Sequence, residues 1–97
     1  MKTPEGYVRD DVDKWLKAIG VYFIKPMTFG YGGSGCPDRV CCFNGRFAGI
    51  EIKREGKLPT PIQNRRMAEI RKSGGIAVWG DSAPMIIEKL KEAFGFD

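Results

Sequence analysis

The Asn44-Gly45 pair lies between two apolar runs, at residues 40–43 and 47–50, and it constrains the fold more than any other feature of this chain. Asn-Gly strongly favours a two-residue turn between antiparallel strands, because both central residues of that turn need a positive φ. We therefore predict a β-hairpin with Asn44 and Gly45 at its tip. The turn also sets the register of the hairpin, and it predicts three facing pairs: Phe43 with Arg46, Cys41 with Ala48, and Asp38 with Glu51.

This register places two carboxylates opposite each other at the open end of the hairpin. Facing side chains in an antiparallel pair have Cβ atoms roughly 4.5–5.5 Å apart, and like charges at that separation destabilise a sheet. Lys53 follows Glu51 by two residues and therefore projects from the same face. A hard divalent cation relieves the repulsion, since Mg²⁺ takes oxygen ligands from one or two carboxylates. The alternative is a solvated strand end with an ordinary Glu-x-Lys alternation, and a bulge would turn Asp38 to the other face.

Caps, apolar periodicity and breakers predict an α/β chain in the order α-β-β-β-α-β-α. A helix between the third and fourth strands implies a parallel, right-handed crossover, and hence a mixed central sheet flanked by helices. We expect one domain over residues 1–97. The predicted elements are a helix from Thr3-Pro4 to Gly20, strands at residues 21–24, 39–43 and 46–53, a helix from Thr60-Pro61 to about Ser73, a strand at 76–79, and a last helix capped by Asp81 or Ser82.

The chain is basic and short. Its 97 residues carry a formal net charge of +4, and 42% of them are hydrophobic, which is enough for one modest core. A basic balance, with a pI of about 9.1, favours an anionic partner, and nucleic acid is the first candidate. The alternative is a basic protein whose charge serves solubility alone. A chain this short also gains from dimerisation, because it buries a limited fraction of its surface.

The absence of histidine removes the commonest general base and the commonest transition-metal ligand. Catalysis would then depend on carboxylates, lysine, tyrosine or cysteine. Cys36, Cys41 and Cys42 do not have the spacing of a zinc site, so we interpret them as small buried or half-buried thiols in a reducing compartment. No apolar run approaches the length of a membrane helix and no signal peptide is present, which predicts a cytosolic protein with no membrane association.

Two polar residues fall on the core-facing stripes of predicted helices. Glu5 shares its stripe with Val12 and Leu16, and Gln63 shares its face with Met67. A buried polar group needs a partner, so both positions are candidates for a site. The alternatives are local: Glu5 complements the helix N-terminus, and Gln63 bonds within the first helical turn.

A glycine-rich segment at residues 28–35 matches G-x-G-x-x-G through Gly30, Gly32 and Gly35. We reject a dinucleotide site, because that motif must open a helix and this one leads into a strand. The segment is instead predicted to be a mobile loop beside Asp38 that closes over a substrate. Tyr31 within it is available for stacking on a base.

Positive charge is concentrated between residues 46 and 72. Next to a carboxylate pair, such a cluster suits phosphates that must be held against a metal. The residues that we expect to contact DNA, besides Tyr31, are Arg46, Arg54, Lys57, Arg65 and Arg66.

Together these residues resemble the virus-type replication-repair nuclease (VRR-NUC) domain of the PD-(D/E)xK nuclease superfamily, whose fold is restriction-endonuclease-like. The resemblance extends from Glu5 to about Trp79, and the chain looks like a minimal, standalone member of the family. Arg39 departs from the pattern, because the family strand more often continues there with an apolar residue. The motifs that carry the resemblance are Asp38, Glu51-Ile52-Lys53, Gly56-Lys57, Thr60-x-x-Gln63, and Gly74-Gly75 before an apolar strand.

The resemblance implies a phosphodiesterase that cuts DNA with Mg²⁺ or Mn²⁺. In such an enzyme Lys53 orients the attacking water and stabilises charge on the phosphate, while Gln63 supports the site from its helix. Bound metal makes histidine dispensable, since it lowers the pKa of its own water. The implied ligands are Asp38, Glu51 and the backbone carbonyl of Ile52, with Glu5 as an outer acidic contact.

The resemblance to standalone members of this family also implies a homodimer that cuts branched DNA, including four-way junctions. A dimer with a twofold axis suits a symmetric junction. Two alternatives stay open on the sequence. One is a nuclease for flaps, nicks or single strands, and the other is a non-catalytic nucleic-acid-binding module. The presence of Lys53 beside two acids argues against the inert module.

Overall fold

The computed structural model describes residues 2–27 and 35–96, and its helices and strands follow the predicted order. The elements are α1 (Pro4–Ala18), β1 (Tyr22–Ile24), β2 (Arg39–Phe43), β3 (Arg46–Ile52), α2 (Pro61–Lys72), β4 (Ile76–Gly80) and α3 (Ala83–Phe94).

Each helix begins at a hydroxyl cap that is followed by proline in the first turn. The side chains of Thr3, Thr60 and Ser82 accept hydrogen bonds from backbone N–H groups of the turns that follow them. Ser82, and not the alternative Asp81, therefore caps α3. Asp81 instead accepts a hydrogen bond from the backbone N–H of Gly56 at 3.1 Å, which ties the loop after β3 to the end of β4.

The sheet has the strand order β1-β2-β3-β4. The first two pairings are antiparallel and β3 pairs with β4 in parallel, as a crossover through α2 requires. Asn44 and Gly45 both have positive φ, at 48° and 81°, so the predicted hairpin turn is confirmed. The register between β2 and β3 runs unbroken through Phe43–Arg46, Cys42–Phe47, Cys41–Ala48, Val40–Gly49 and Arg39–Ile50.

The two faces of the sheet are covered by different helices. Alternate residues of β2 and β3, such as Cys41 and Ile50, belong to a core that also contains Leu16 of α1 and Leu90 of α3. The opposite face carries Glu51 and packs against α2. The mixed sheet flanked by helices is thus confirmed, and the strand alternation assigns Glu51 to the side of α2.

The cysteine interpretation is correct for two of the three thiols. Cys41 is buried in the core, where burial raises its pKa to about 11, and Cys36 is half-buried. Cys42 is exposed, so the prediction that it is buried or half-buried was wrong. Adjacent strand residues point to opposite faces, so Cys42 lies on the face away from the core, near the hairpin tip and opposite the exposed Phe47. Across the described residues, no helix combines the length and the apolar character needed to cross a membrane.

Candidate active site

The predicted acid pair comes together at the end of the hairpin. Asp38 immediately precedes β2, and the next step of the hairpin register places it opposite Glu51. Its Oδ2 accepts a hydrogen bond from the backbone N–H of Ile52 at 2.7 Å, which fixes the carboxylate against β3. Glu51 is only 3% exposed. Arg39 pairs with Ile50 in the regular register, so it does not displace Asp38 from its position opposite Glu51.

Glu51 is a strongly perturbed acid. Burial raises its pKa to about 8, with further contributions from the negative charge of Asp38 and a hydrogen bond to it, while Lys53 opposes the shift. Below that pH Glu51 holds a proton beside Asp38, because two carboxylates this close cannot both ionise without a compensating charge. Perturbed carboxyl pairs of this kind mark functional sites.

The donor chemistry of this pair fits a hard divalent cation. Both side chains offer oxygen, which is the ligand atom that Mg²⁺ prefers. Within residues 2–27 and 35–96, no group of three or more His, Cys, Asp or Glu side chains is arranged to hold a metal ion. An ion here would have to complete its shell with backbone oxygen, water or phosphate, as Mg²⁺ commonly does.

Gln63 connects the acid pair to the lysine. Its Nε2 donates to Glu51 Oε1 at 2.8 Å, and its Oε1 accepts from Lys53 Nζ at 3.3 Å. The same Oε1 accepts from the backbone N–H of Thr60 at 2.8 Å, which completes a capping box at the start of α2. The local capping bonds expected of Gln63 are therefore present, and the same amide also bonds to Glu51 and Lys53; its part in catalysis stays a prediction.

Glu5 reaches the site together with a residue that sequence reasoning missed. Arg9 Nη2 donates to Glu5 Oε2 at 3.2 Å, and Arg9 Nε lies 3.8 Å from Asp38 Oδ1. The guanidinium therefore sits between the outer acid and the carboxylate oxygen that faces away from Ile52. The i, i+4 spacing of Glu5 and Arg9 on α1 is the sequence signal from which this pair could have been predicted.

A polar cleft of about 620 Å³ opens over the site. Its lining includes Asp38, Glu51 and Gln63, together with the cations of Arg9 and Lys25. Met27 and Gly35, on either side of most of the predicted loop, also line this cleft. Residues 28–34, including Tyr31, Gly30 and Gly32, lie outside the described residues. A separate groove of about 430 Å³, between α2 and the hairpin, is largely apolar and contains none of the predicted site acids.

Gly35, at the end of that segment, packs closely on α2. A Cβ there would lie 2.9 Å from the backbone oxygen of Ile62, and its φ is 78°. Both observations require glycine at this position. The segment that leads into Asp38 is therefore held against the first turn of α2, next to Gln63.

The predicted DNA-contacting residues fall into separate groups. Arg54 and Lys57 are exposed in the loop after β3, where they line a shallow pocket with Pro4 at the start of α1. Arg65 and Arg66 lie on α2, and Arg66 Nη1 donates to Glu69 at 2.8 Å. Arg46 begins β3 at the hairpin tip, and at about 3.4 Å per residue it stands about 17 Å along the strand from Glu51. The structure therefore does not bring Arg46 to the acid pair.

Comparison with known proteins finds similarity at the level of structure. No family model and no curated protein matches this chain. One solved structure, described as a "VRR_NUC domain", superposes with a TM-score of 0.79 at 26% sequence identity, over 93% of this chain and 97% of the other. A second, described as a "VRR_NUC domain protein", gives a TM-score of 0.77 at 22% identity, over 95% of this chain and 88% of the other.

Proposed function

Because this chain forms a VRR-NUC domain with a nuclease-type fold, we propose that it is a metal-dependent, structure-selective DNA endonuclease. It hydrolyses phosphodiester bonds, and its substrate is branched DNA such as a four-way junction. One observation carries the proposal: the buried Glu51 lies beside Asp38 and is joined to Lys53 through a single oriented amide. A solvated strand end would need neither the burial nor the amide.

The proposed cofactor is Mg²⁺ or Mn²⁺. When bound, such an ion lowers the pKa of its water and neutralises charge that develops on the phosphate. The oxygens of Asp38 and Glu51 have the right chemistry to hold it. The proposed ligands are Asp38, Glu51 and the backbone carbonyl of Ile52, with Glu5 as an outer acidic contact.

Three side chains would act together with such an ion: Lys53, Gln63 and Glu51. Lys53 orients the attacking water and stabilises negative charge on the phosphate, and its ammonium already donates to Gln63. Gln63 fixes the orientation of the Glu51 carboxyl through its Nε2. Glu51 would have to give up its proton to hold such an ion, because metal ligands must be deprotonated.

The proposed DNA path follows the positive charge beside the cleft. Arg54 and Lys57 lie next to the start of α1, and Arg65 and Arg66 lie along α2, and we assign all four to contacts with phosphates. Arg46 is too far from the pair to position the scissile phosphate, and we assign it a contact further along the duplex. Tyr31 remains a predicted stacking residue.

Two further parts of the proposal concern assembly and location. A homodimer with a twofold axis would present two active sites to a symmetric four-way junction. The three cysteines are free thiols, which is in keeping with a reducing cytoplasmic compartment. The proposed protein is a single domain over residues 1–97.

The experiment that tests the proposal is cleavage of a labelled four-way junction, with a linear duplex of the same sequence as control. Wild-type protein and Lys53→Ala are compared in Mg²⁺, Mn²⁺ and EDTA, and light scattering reports the oligomeric state. We expect paired symmetric cuts in the junction that require both metal and Lys53, and a dimeric mass.

Other outcomes would change the proposal in defined ways. Cleavage of flaps, nicks or single strands in preference to the junction would keep the nuclease and overturn the junction selectivity. Tight junction binding without cleavage in either metal would overturn the enzyme and favour an inert nucleic-acid-binding module.

A further inference from the structure

A buried arginine holds the backbone of the proposed metal ligand Asp38. Arg39 Nη1 donates to the carbonyl oxygen of Asp38 at 2.8 Å, and the Arg39 side chain is 5% exposed. On its other edge the guanidinium makes two bonds to Asp13 of α1, from Nε to Oδ1 at 2.7 Å and from Nη2 to Oδ2 at 3.0 Å. We propose that Arg39 and Asp13 are positioning residues for the metal site; this inference rests on the proposed function.

The position of Asp38 in the chain explains why it needs such an anchor. It precedes the first residue of β2, so it lies outside the hydrogen-bonded ladder that fixes residues 39–43. Two hydrogen bonds tie it to its neighbours in the strands: the Ile52 N–H donates to the carboxylate Oδ2, and Arg39 donates to the backbone carbonyl. Loss of the carbonyl contact would free the peptide to rotate and would move the carboxylate relative to Glu51.

The arrangement requires arginine in particular. A guanidinium presents donors in a rigid planar fork, so one side chain can bind the Asp13 carboxylate with one edge and a carbonyl with a further nitrogen. A lysine at this position would keep a positive charge near Asp13 but could not span both partners. Asp13 is itself only 16% exposed, and it neutralises a charge that would otherwise be buried alone.

This pairing also explains how a charged residue fits where the family pattern favours an apolar one. Arg39 faces the α1 side of the sheet, while Asp38 faces the α2 side with Glu51. The guanidinium therefore acts on Asp38 through its backbone, from the face of the sheet opposite the side chains of Asp38 and Glu51. Contacts that orient a metal ligand from outside are typically worth about 10–100-fold in metal affinity.

The test separates positioning from stability. The double variant Asp13→Leu/Arg39→Met replaces a buried ion pair with apolar side chains, an exchange that often leaves stability unchanged. We expect its Tm to stay within a few degrees of wild type, and its affinity for Mn²⁺, measured by titration calorimetry without DNA, to fall about 10–100-fold. The kcat for junction cleavage should fall in parallel, while KM for DNA stays unchanged.

Two single variants complete the design. Arg39→Lys keeps a charge opposite Asp13 but loses the bond to the Asp38 carbonyl, so it should weaken Mn²⁺ binding like the double variant. Arg71→Met is the matched control, because Arg71 also binds a backbone carbonyl, that of Ala77, at 2.7 Å but does not contact the acid pair. We expect Arg71→Met to retain wild-type Mn²⁺ affinity.

The outcomes distinguish this inference from the proposed function. A wild-type protein that neither binds Mn²⁺ nor cuts DNA would overturn the proposed function. If wild type does both, and the folded double variant binds Mn²⁺ as tightly as wild type, the positioning role is wrong. Should the double variant unfold, Arg39→Lys decides the question by the same calorimetric measurement.

Discussion

Gln63 donates to the buried carboxyl of Glu51 at 2.8 Å, and the same amide closes the first turn of α2. The start of a helix and the geometry of the acid pair are therefore fixed by one side chain. Its carbonyl is held by Thr60 N–H and by Lys53, so the amide cannot flip without losing both bonds. This arrangement explains how a residue in an ordinary capping box can also belong to the proposed active site.

Gln63→Glu should reduce cleavage about 10–100-fold and leave α2 intact. The glutamate keeps an oxygen that accepts from Thr60 and Lys53, as a capping box allows, but it cannot donate to Glu51. The measurement is single-turnover cleavage of a junction in Mg²⁺, with helicity followed by circular dichroism. The matched control is Thr60→Ala, which weakens the cap and retains the Gln63 contact with Glu51. Greater loss of cleavage in Thr60→Ala than in Gln63→Glu would contradict this prediction.

The fold could be predicted from the sequence because its strongest signals are local. The Asn44-Gly45 turn requires positive φ at two positions, and that requirement fixed the hairpin register as far as Glu51. The Thr-Pro pairs at residues 3–4 and 60–61 predicted the first residues of α1 and α2 without error. The resemblance to VRR-NUC domains, which the motifs indicated, is confirmed by the structural comparisons.

What the sequence did not reveal depends on contacts between distant elements. The bonds between Asp13 and Arg39 join residues 26 positions apart, and no local pattern predicts them. The contact between Arg9 and Asp38 likewise needs the angle at which α1 crosses the sheet. The exposure of Cys42 depends on how far α2 extends over its face, which periodicity alone does not define.

The metal-free protein should lose stability as pH rises from about 4.5 to about 8. The folded-state pKa of Glu51 is raised to about 8 from an ordinary value of 4.5, so the native state binds more protons than the unfolded state within this window. The contribution of Glu51 to stability is complete below a pH of about 4.5 and is lost as the pH rises through about 8. Since about 1 kcal/mol corresponds to roughly 4–8 °C in Tm for a domain this small, melting curves in EDTA should resolve the trend.

Glu51→Gln is the variant that isolates this effect. It should flatten the pH dependence of Tm, because the amide does not titrate, and it should abolish metal-dependent cleavage. Mn²⁺ should stabilise wild type more at pH 8 than at pH 6, since the ion competes with a proton for Glu51. An unchanged pH slope of Tm in Glu51→Gln would show that another group is responsible.

The two adjacent cysteines should respond differently to serine. Cys41→Ser places a hydroxyl in the core and should lower the free energy of unfolding by about 1–3 kcal/mol. Cys42→Ser, on the exposed face, should change it by less than about 0.5 kcal/mol. Urea unfolding of both variants is the measurement, and each serves as the control for the other. Equal destabilisation would mean that the Cys42 face is covered in solution.

Lys57→Gln should weaken DNA binding in a salt-dependent way and leave metal binding unchanged. Lys57 is exposed in the loop after β3, and loss of one phosphate contact should reduce the slope of log K against log salt by about 1. Binding is measured by fluorescence anisotropy in Ca²⁺ over a range of salt concentrations. Lys17→Gln, exposed near the end of α1, is the control for net charge. Identical salt slopes for the two variants would remove Lys57 from the DNA path.

Arg9→Gln should bind Mn²⁺ more tightly than wild type in the absence of DNA. The guanidinium lies 3.8 Å from Asp38 Oδ1 and also binds Glu5, so its positive charge opposes the approach of a cation to the acid pair. For a partly exposed charge the effect should reach about 1 kcal/mol, or about fivefold in affinity, measured by calorimetry. Lys14→Gln is the matched control, because it removes the same charge from the exposed side of α1. If Arg9→Gln bound Mn²⁺ more weakly than wild type, Arg9 would be a support for the acid pair and not a competitor of the metal.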